Sequence, residues 1–203
     1  MKRLFAPAMA LLAAALLMLA TTIGGRAEAA APQTAIFSGG CFWCMETDMK
    51  AIPGVLSVES GYTGGSLNNP RYEDVITERT GHYEAVRVKF DPDKLSYERL
   101  LQRYWKLVDP TDDAGQFCDR GPSYRPAVFA TPDQRKIAEA TRAAAAKQLK
   151  VGVMKAPILN AGVFWPAEEY HRDYAKRHSI QYQMYREGCG RDRRLAQVWG
   201  AAG

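Results

Sequence analysis

Apolar and polar positions alternate with two different periods along this chain, and the changes of period mark its elements. Strand-like runs predict strands over 34–38, 55–60, 83–90 and 125–130. Helical signals between them predict helices over 44–50, 96–108 and 131–149. The 96–108 segment is the clearest. Tyr97, Leu100, Leu101, Tyr104, Trp105 and Val108 recur at helical spacing, Ser96 caps the start, and Asp109-Pro110 stops the end. Thr131, Pro132 and Gln134 form a capping-box pattern with proline at the first helical position. Residues 167–178 read as a short helix after Pro166, and 180–203 as a tail that wraps back with Cys189 between two glycines. Strands and helices mixed in one short chain imply an α+β or α/β sheet with helices packed against it.

Two stretches are too long and too specific to be idle connections. Residues 61–82 carry Gly61, Gly64, Gly65, Asn68, Asn69, Pro70 and Gly81, with Tyr62 and Tyr72 among them. Residues 109–124 carry Asp112, Asp113, Gly115, Cys118, Asp119, Gly121 and Tyr124. Long ordered loops in a compact domain are usually binding or active-site loops.

The start of the chain belongs to a different class. Lys2 and Arg3 form a basic start, residues 8–20 are almost all Ala, Leu and Met, and Ala27-Glu28-Ala29 fits a small-x-small cleavage site. The apolar run is short for a membrane span and right for a signal peptide. Residues 1–29 are therefore expected to be a signal peptide, and 30–203 a single catalytic domain, exported to the periplasm or secreted. Without Lys2, Arg3, Arg26 and Glu28, the net charge falls from +5 to +3. The basic residues are scattered among acids, so nucleic-acid binding has no support. The run Arg191-Asp192-Arg193-Arg194 reads as a solvated helix edge. Neither stable membrane insertion nor an assembly larger than a monomer is expected.

Candidate chemistry centres on Gly39-Gly40-Cys41-Phe42-Trp43-Cys44-Met45. Cys41 stands where a helix would begin, facing amide donors and the positive end of a helix dipole, so its thiol is expected to ionise easily. Phe42 and Trp43 supply an aromatic wall. Four cysteines, Cys41, Cys44, Cys118 and Cys189, allow three pairings if all serve as structural bridges. A domain of this size hardly needs staples, and a strand–helix junction is an odd place for one.

A second group lies on strand 83–90. Val86, Val88 and Phe90 share one face, Arg87 and Lys89 the other, and Glu84 falls on the apolar face. A carboxyl there keeps its proton near neutrality and suits a general acid. The alternative places Glu84 at a frayed strand start facing water. His82 beside it could pair with Cys41, although a lone histidine is more often structural. Zinc is poorly supported, because Cys118 and Cys189 come singly, and no metal or other cofactor is expected.

Taken together, these residues resemble the peptide methionine-sulfoxide reductases of the A class. The motifs are Gly40-Cys41-Phe42-Trp43, Gly61-Tyr62-Thr63-Gly64-Gly65, Asn69-Pro70-x-Tyr72, Gly81-His82-x-Glu84-Ala85-Val86 and Pro166-Ala167-Glu168-Glu169-Tyr170-His171, in that order. The resemblance implies an α+β two-layer sandwich with a mixed β-sheet, a ferredoxin-like core, long coiled loops and a C-terminal tail. It implies Cys41 as the nucleophile on the sulfoxide sulfur and Glu84 as the acid for the departing oxygen. Tyr72 and Tyr124 would hold that oxygen, Phe42 and Trp43 would receive the methyl group, and Asp119 would sit at the rim. Cys41 would become a sulfenic acid and then a disulfide, cleared by a thioredoxin-type reductant. Only the S epimer of methionine sulfoxide, in proteins or free, would be accepted. Many members carry Asn where Cys118 stands, Ser where Pro126 stands, and recycling cysteines in a Gly-rich tail. Here Cys189, Cys118 and Cys44 all remain candidates to resolve the sulfenic acid. Two rival readings stay open: a thioredoxin-like disulfide exchanger built on Cys41-x-x-Cys44, and an inert binding domain stapled by four paired cysteines.

Overall fold

A computed structural model describes residues 29–149 and 154–200. The expected signal peptide lies almost wholly outside the described residues. Six strands form one mixed sheet: β1 (Gln33–Ser38), β2 (Val55–Thr63), β3 (Tyr83–Phe90), β6 (Ala127–Ala130), β7 (Ile158–Asn160) and β8 (Phe164–Pro166). Their order across the sheet is β7-β6-β1-β3-β2-β8, antiparallel at every pairing except β6 with β7. The two remaining strands, β4 (Gly115–Gln116) and β5 (Asp119–Arg120), pair as a separate small hairpin. Three longer helices lie between strands: α1 (Phe42–Lys50), α3 (Tyr97–Lys106) and α4 (Pro132–Leu149). A single turn, α2 (Tyr72–Val75), interrupts the first long loop.

The sequence pattern explains the main joints. Ser96 accepts from Arg99 N–H at 3.3 Å, and the apolar stripe of α3 is buried at Tyr97, Leu100, Leu101, Tyr104 and Trp105. Tyr104 stacks on Phe37 of β1 at 4.7 Å and donates to the Ser38 carbonyl, while Trp105 reaches Thr141 of α4. Thr131 and Gln134 exchange reciprocal hydrogen bonds at the start of α4, as the capping-box pattern predicts. Helix and sheet thereby close on one apolar core that includes Val86, Val88 and Phe90 of β3.

Two expectations need correction. Residues 167–178 do not form one helix. A 3-10 turn (Glu169–His171) and a single α turn, α5 (Tyr174–Arg177), are separated by Asp173, whose φ of 51° is left-handed. The break is tied down by the buried Glu46 carboxylate, which accepts from Asp173 N–H, and by Lys50, which reaches Asp173 Oδ1. The tail, in turn, is two helices, α6 (Ser179–Gly188) and α7 (Arg191–Trp199). Arg191, expected on a solvated edge, is only 1% exposed. Its guanidinium donates to the Gly39 and Leu107 carbonyls, pairs with Asp48 and lies 4.6 Å from the Phe117 ring centre. A fixed planar fork with several donors can satisfy such a buried site, which explains why a charged residue is found there. No described helix is long and apolar enough to cross a membrane.

Candidate active site

Gly39 and Gly40 turn the chain from β1 into α1. At Gly40 φ is +79°, and a Cβ there would come within 2.8 Å of Gln116 Cβ. A Cβ on Gly39 would meet Val108 Cγ1 at 2.6 Å. Only glycine fits this tight corner, and Cys41 is delivered by it to the N-cap of α1, with its carbonyl accepting from Cys44 and Met45.

Cys41 lies at the floor of a pocket of about 240 Å³ lined by Phe42, Trp43, Tyr72, Glu84, Asp119, Tyr124 and Tyr185. Glu84 is 3% exposed, so it does not face water at a frayed strand end. Burial raises its pKa to about 8, against a hydrogen bond from Phe42 N–H that works to lower it, and Asp119 adds negative potential. The acid is protonated at neutral pH. Burial also raises the phenols of Tyr72 and Tyr124, whose hydroxyls share a hydrogen bond. Both remain neutral donors. Asp119 accepts from Tyr185 at 2.5 Å and from the Cys41 amide.

The aromatic wall is built from both ends of the chain. Trp43 stacks on Tyr174 of α5 at 3.7 Å and 5°, and meets Tyr185 of α6 edge-on at 5.9 Å. Its indole N–H donates to His171 Nδ1 at 3.1 Å. Burial lowers the His171 pKa, so the ring stays neutral and can accept. Glu168 receives the Tyr62 hydroxyl on one oxygen and the Tyr72 amide on the other, both at 2.9 Å. Tyr72 is thus anchored at its backbone by β2 and the late turn together.

The thiols differ from expectation. Burial pushes the Cys41 thiol up, reinforced by the hydrogen bond that its S–H donates to Cys44 and by the charge that Cys44 carries. Cys44 is drawn down to about 7, chiefly by its hydrogen bond with Cys41 and then by Arg191 and Arg186. The helix terminus alone does not activate Cys41, because burial at this site outweighs the dipole. The two sulfurs titrate as one pair, and the charge left by the first proton lost rests chiefly on Cys44, held there by the Cys41 S–H. Cys41 and Cys44 are both free and buried, which rules out the fully stapled reading. Cys118 and Cys189 are bonded to each other across 71 residues. The cluster of Cys118, Asp119 and Cys189 is accordingly a disulfide beside a carboxylate, with no thiolate to offer a metal.

A family model described as peptide methionine sulfoxide reductase matches residues 33–202. The chain belongs to this family. A peptide methionine sulfoxide reductase MsrA 2 of Caulobacter vibrioides is 66% identical over 94% of this chain and 96% of that protein. A peptide methionine sulfoxide reductase MsrA of Bacillus licheniformis is 53% identical over 83% of this chain and 94% of its own length. Among solved structures, the methionine sulfoxide reductase A of Corynebacterium diphtheriae superposes with a TM-score of 0.65. It is 29% identical, over 73% of this chain and 76% of that one.

In this reductase-family chain, the pocket gathers the seven residues that the sequence proposed as catalytic or substrate-binding, Cys41, Phe42, Trp43, Tyr72, Glu84, Asp119 and Tyr124, while the resolving candidates Cys44, Cys118 and Cys189 do not line it. The same assembly answers the disulfide-exchanger reading, which left Glu84 and Tyr72 without a role. His82 is not part of the pocket. Its Nδ1 accepts from Gly65 N–H and its Nε2 meets the Leu67 carbonyl, so it ties the first loop down. Tyr185 went unrecognised, since a tyrosine on an amphipathic tail helix carries no local signal of its partner. Glu168 and His171 lie inside a quoted motif, but their contacts with Tyr72 and Trp43 span 96 and 128 residues.

Proposed function

We propose that this chain reduces methionine S-sulfoxide, in proteins and free, to methionine. The observation that carries the reading is a buried thiol and a protonated carboxylic acid facing one pocket, with two neutral phenols beside them. The sulfoxide oxygen accepts from Tyr72, Tyr124 and the Glu84 proton, and the methyl group rests against Phe42 and Trp43. Asp119 holds the Cys41 amide at the rim. Attack by the Cys41 sulfur transfers the oxygen, leaving a thioether and a Cys41 sulfenic acid. Donation from Glu84 offsets the charge that develops on oxygen, which is the role of a general acid poised near the working pH.

The sulfenic acid then needs a thiol. Cys44 is the thiol hydrogen-bonded to Cys41, whereas Cys118 and Cys189 are already joined. Cys44 attacks the Cys41 sulfur, an S–S bond forms, and the oxygen leaves as water. Because Cys41 is at the N-cap and not within the helix, this bridge spans only the first turn of α1. A dithiol reductant of the thioredoxin type regenerates both thiols by exchange. Export is part of the proposal, supported by the basic start and apolar run of residues 2–20 and by a disulfide on the finished chain.

The test is turnover of a peptide containing methionine S-sulfoxide, with dithiothreitol as reductant. Wild type should release methionine-containing peptide, the R epimer should be left intact, and Cys41→Ser should be inactive. Inactive wild type, or full turnover by Cys41→Ser, overturns the reading.

A further inference from the structure

Tyr185 is the one pocket residue supplied by the tail. Its hydroxyl donates to Asp119 Oδ2 at 2.5 Å and lies against the Cys41 sulfur, and its ring meets Trp43 edge-on. Two further facts concern what keeps it there. Cys189 is one helical turn beyond Tyr185, with Cys189 N–H donating to the Tyr185 carbonyl at 2.9 Å. Cys118 immediately precedes Asp119. The same two segments are therefore joined twice, by a covalent Cys118–Cys189 bond and by the Tyr185–Asp119 hydrogen bond one turn away.

We propose that Tyr185 is a positioning residue for the Cys41 nucleophile and that the Cys118–Cys189 disulfide is the clamp that holds it in place. This rests on the reading above, in which Cys41 is the nucleophile. A disulfide between segments 71 residues apart limits their separation, so a short, directional hydrogen bond beside it forms at little further entropic cost. Cys118 is exposed, so a dithiol in solution can reach the bond. Exchange with such a dithiol would break the S–S bond, give two thiols and leave the reductant as its disulfide. The tail would then be held by noncovalent contacts alone, and Tyr185 would spend less time on Asp119 and Cys41. A sufficiently reducing medium would thus lower the activity of the site even as it supplies electrons to it.

The experiment compares methionine formed in the first turnover, before any resolving thiol is needed. Two wild-type samples would be used, with Cys41 and Cys44 reduced in both and Cys118–Cys189 closed or opened, checked by mass spectrometry. Opening should slow the first turnover about five- to tenfold, the scale of the net contribution of one ordinary hydrogen bond. It should also move the lower pH midpoint of the rate upward, because Asp119 loses the Tyr185 hydroxyl and its unshielded charge disfavours a thiolate at Cys41. Cys118→Ser/Cys189→Ser should match the opened sample. Tyr185→Phe should be slow, show the same upward pH shift, and lose its response to the state of the disulfide. Equal rates in the closed and opened samples overturn the clamp, and so does a Tyr185→Phe protein that still responds fully. Absence of methionine from every sample would instead overturn the assignment of Cys41.

Discussion

The Glu84 carboxyl accepts a hydrogen bond from Phe42 N–H at 3.0 Å, which fastens the acid of β3 to the first amide after Cys41. Cys41 and Glu84 are separated by 43 positions in sequence, yet this bond makes one rigid unit of them. The N-terminal amide of a helix has no partner within the helix, and here the Glu84 carboxyl fills that vacancy. The hydrogen bond lowers the acid's pKa and burial raises it, with burial prevailing.

Replacing Glu84 by Gln keeps an acceptor for Phe42 and removes the proton. The expected outcome is a folded protein whose first turnover is slowed by about 10²-fold or more, the usual scale of general acid catalysis. Rapid-quench measurement of methionine formed before recycling isolates that step from regeneration. An unchanged rate constant would remove Glu84 from the chemistry.

The pH profile of the same step should be bell-shaped. The rate should rise as the Cys41–Cys44 pair loses its first proton near 7, and fall as Glu84 loses its proton near 8. Stability should follow the acid too. Glu84 has a raised folded value, so its contribution is full below the ordinary carboxylate range and is lost as pH rises through about 8. Chemical denaturation between pH 5 and 9 should show wild type losing more stability than Glu84→Gln over that window. Identical slopes for the two proteins would mean that Glu84 is not held protonated.

If Cys44 resolves the sulfenic acid, Cys44→Ser should still form one methionine per chain in a single turnover. Multiple turnover with a thioredoxin-type reductant should fall by about 10-fold or more, because no thiol remains hydrogen-bonded to Cys41. Undiminished steady-state turnover would pass the resolving role to Cys118 and Cys189.

Much of this site was legible in the sequence because its signals are local. Gly39-Gly40 before Cys41 announces a strand-to-helix corner, and the alternation of β3 puts Glu84 on the apolar face without any knowledge of its partners. The ionisation of the thiols was not legible, since it depends on burial by residues distant in sequence, Tyr72, Glu84, Asp119 and Tyr185 among them. Arg191 shows the same limit more sharply. A run of charged residues ordinarily faces water, and only the three-dimensional path of the tail reveals that Gly39, Leu107 and Asp48 converge on one guanidinium. Asp173 is similar, because its left-handed turn is imposed by Glu46 and Lys50 from a distant helix.

Arg191 yields the last prediction. It binds the carbonyl of Gly39 at the corner that delivers Cys41, the carbonyl of Leu107 at the end of α3, and Asp48 on α1. Removing the guanidinium strands those acceptors and leaves Asp48 with Arg186 as its other cation. The guanidinium's hydrogen bonds to two buried carbonyls, from a charged donor, are worth about 1.5–3 kcal/mol each, so Arg191→Ala should unfold at a markedly lower urea midpoint. Lysine supplies charge but only a point donor, and it cannot span Gly39, Leu107 and Asp48 at once. Arg191→Lys should therefore recover only part of the lost stability. It should also restore only part of the positive potential that helps draw Cys44 down. The alkylation rate of Cys44 in Cys41→Ser, followed against pH, should accordingly show its midpoint move upward in the order Arg, Lys, Ala. If Arg191→Ala matches wild type in both urea midpoint and alkylation profile, the buried guanidinium neither holds the corner nor tunes the thiol.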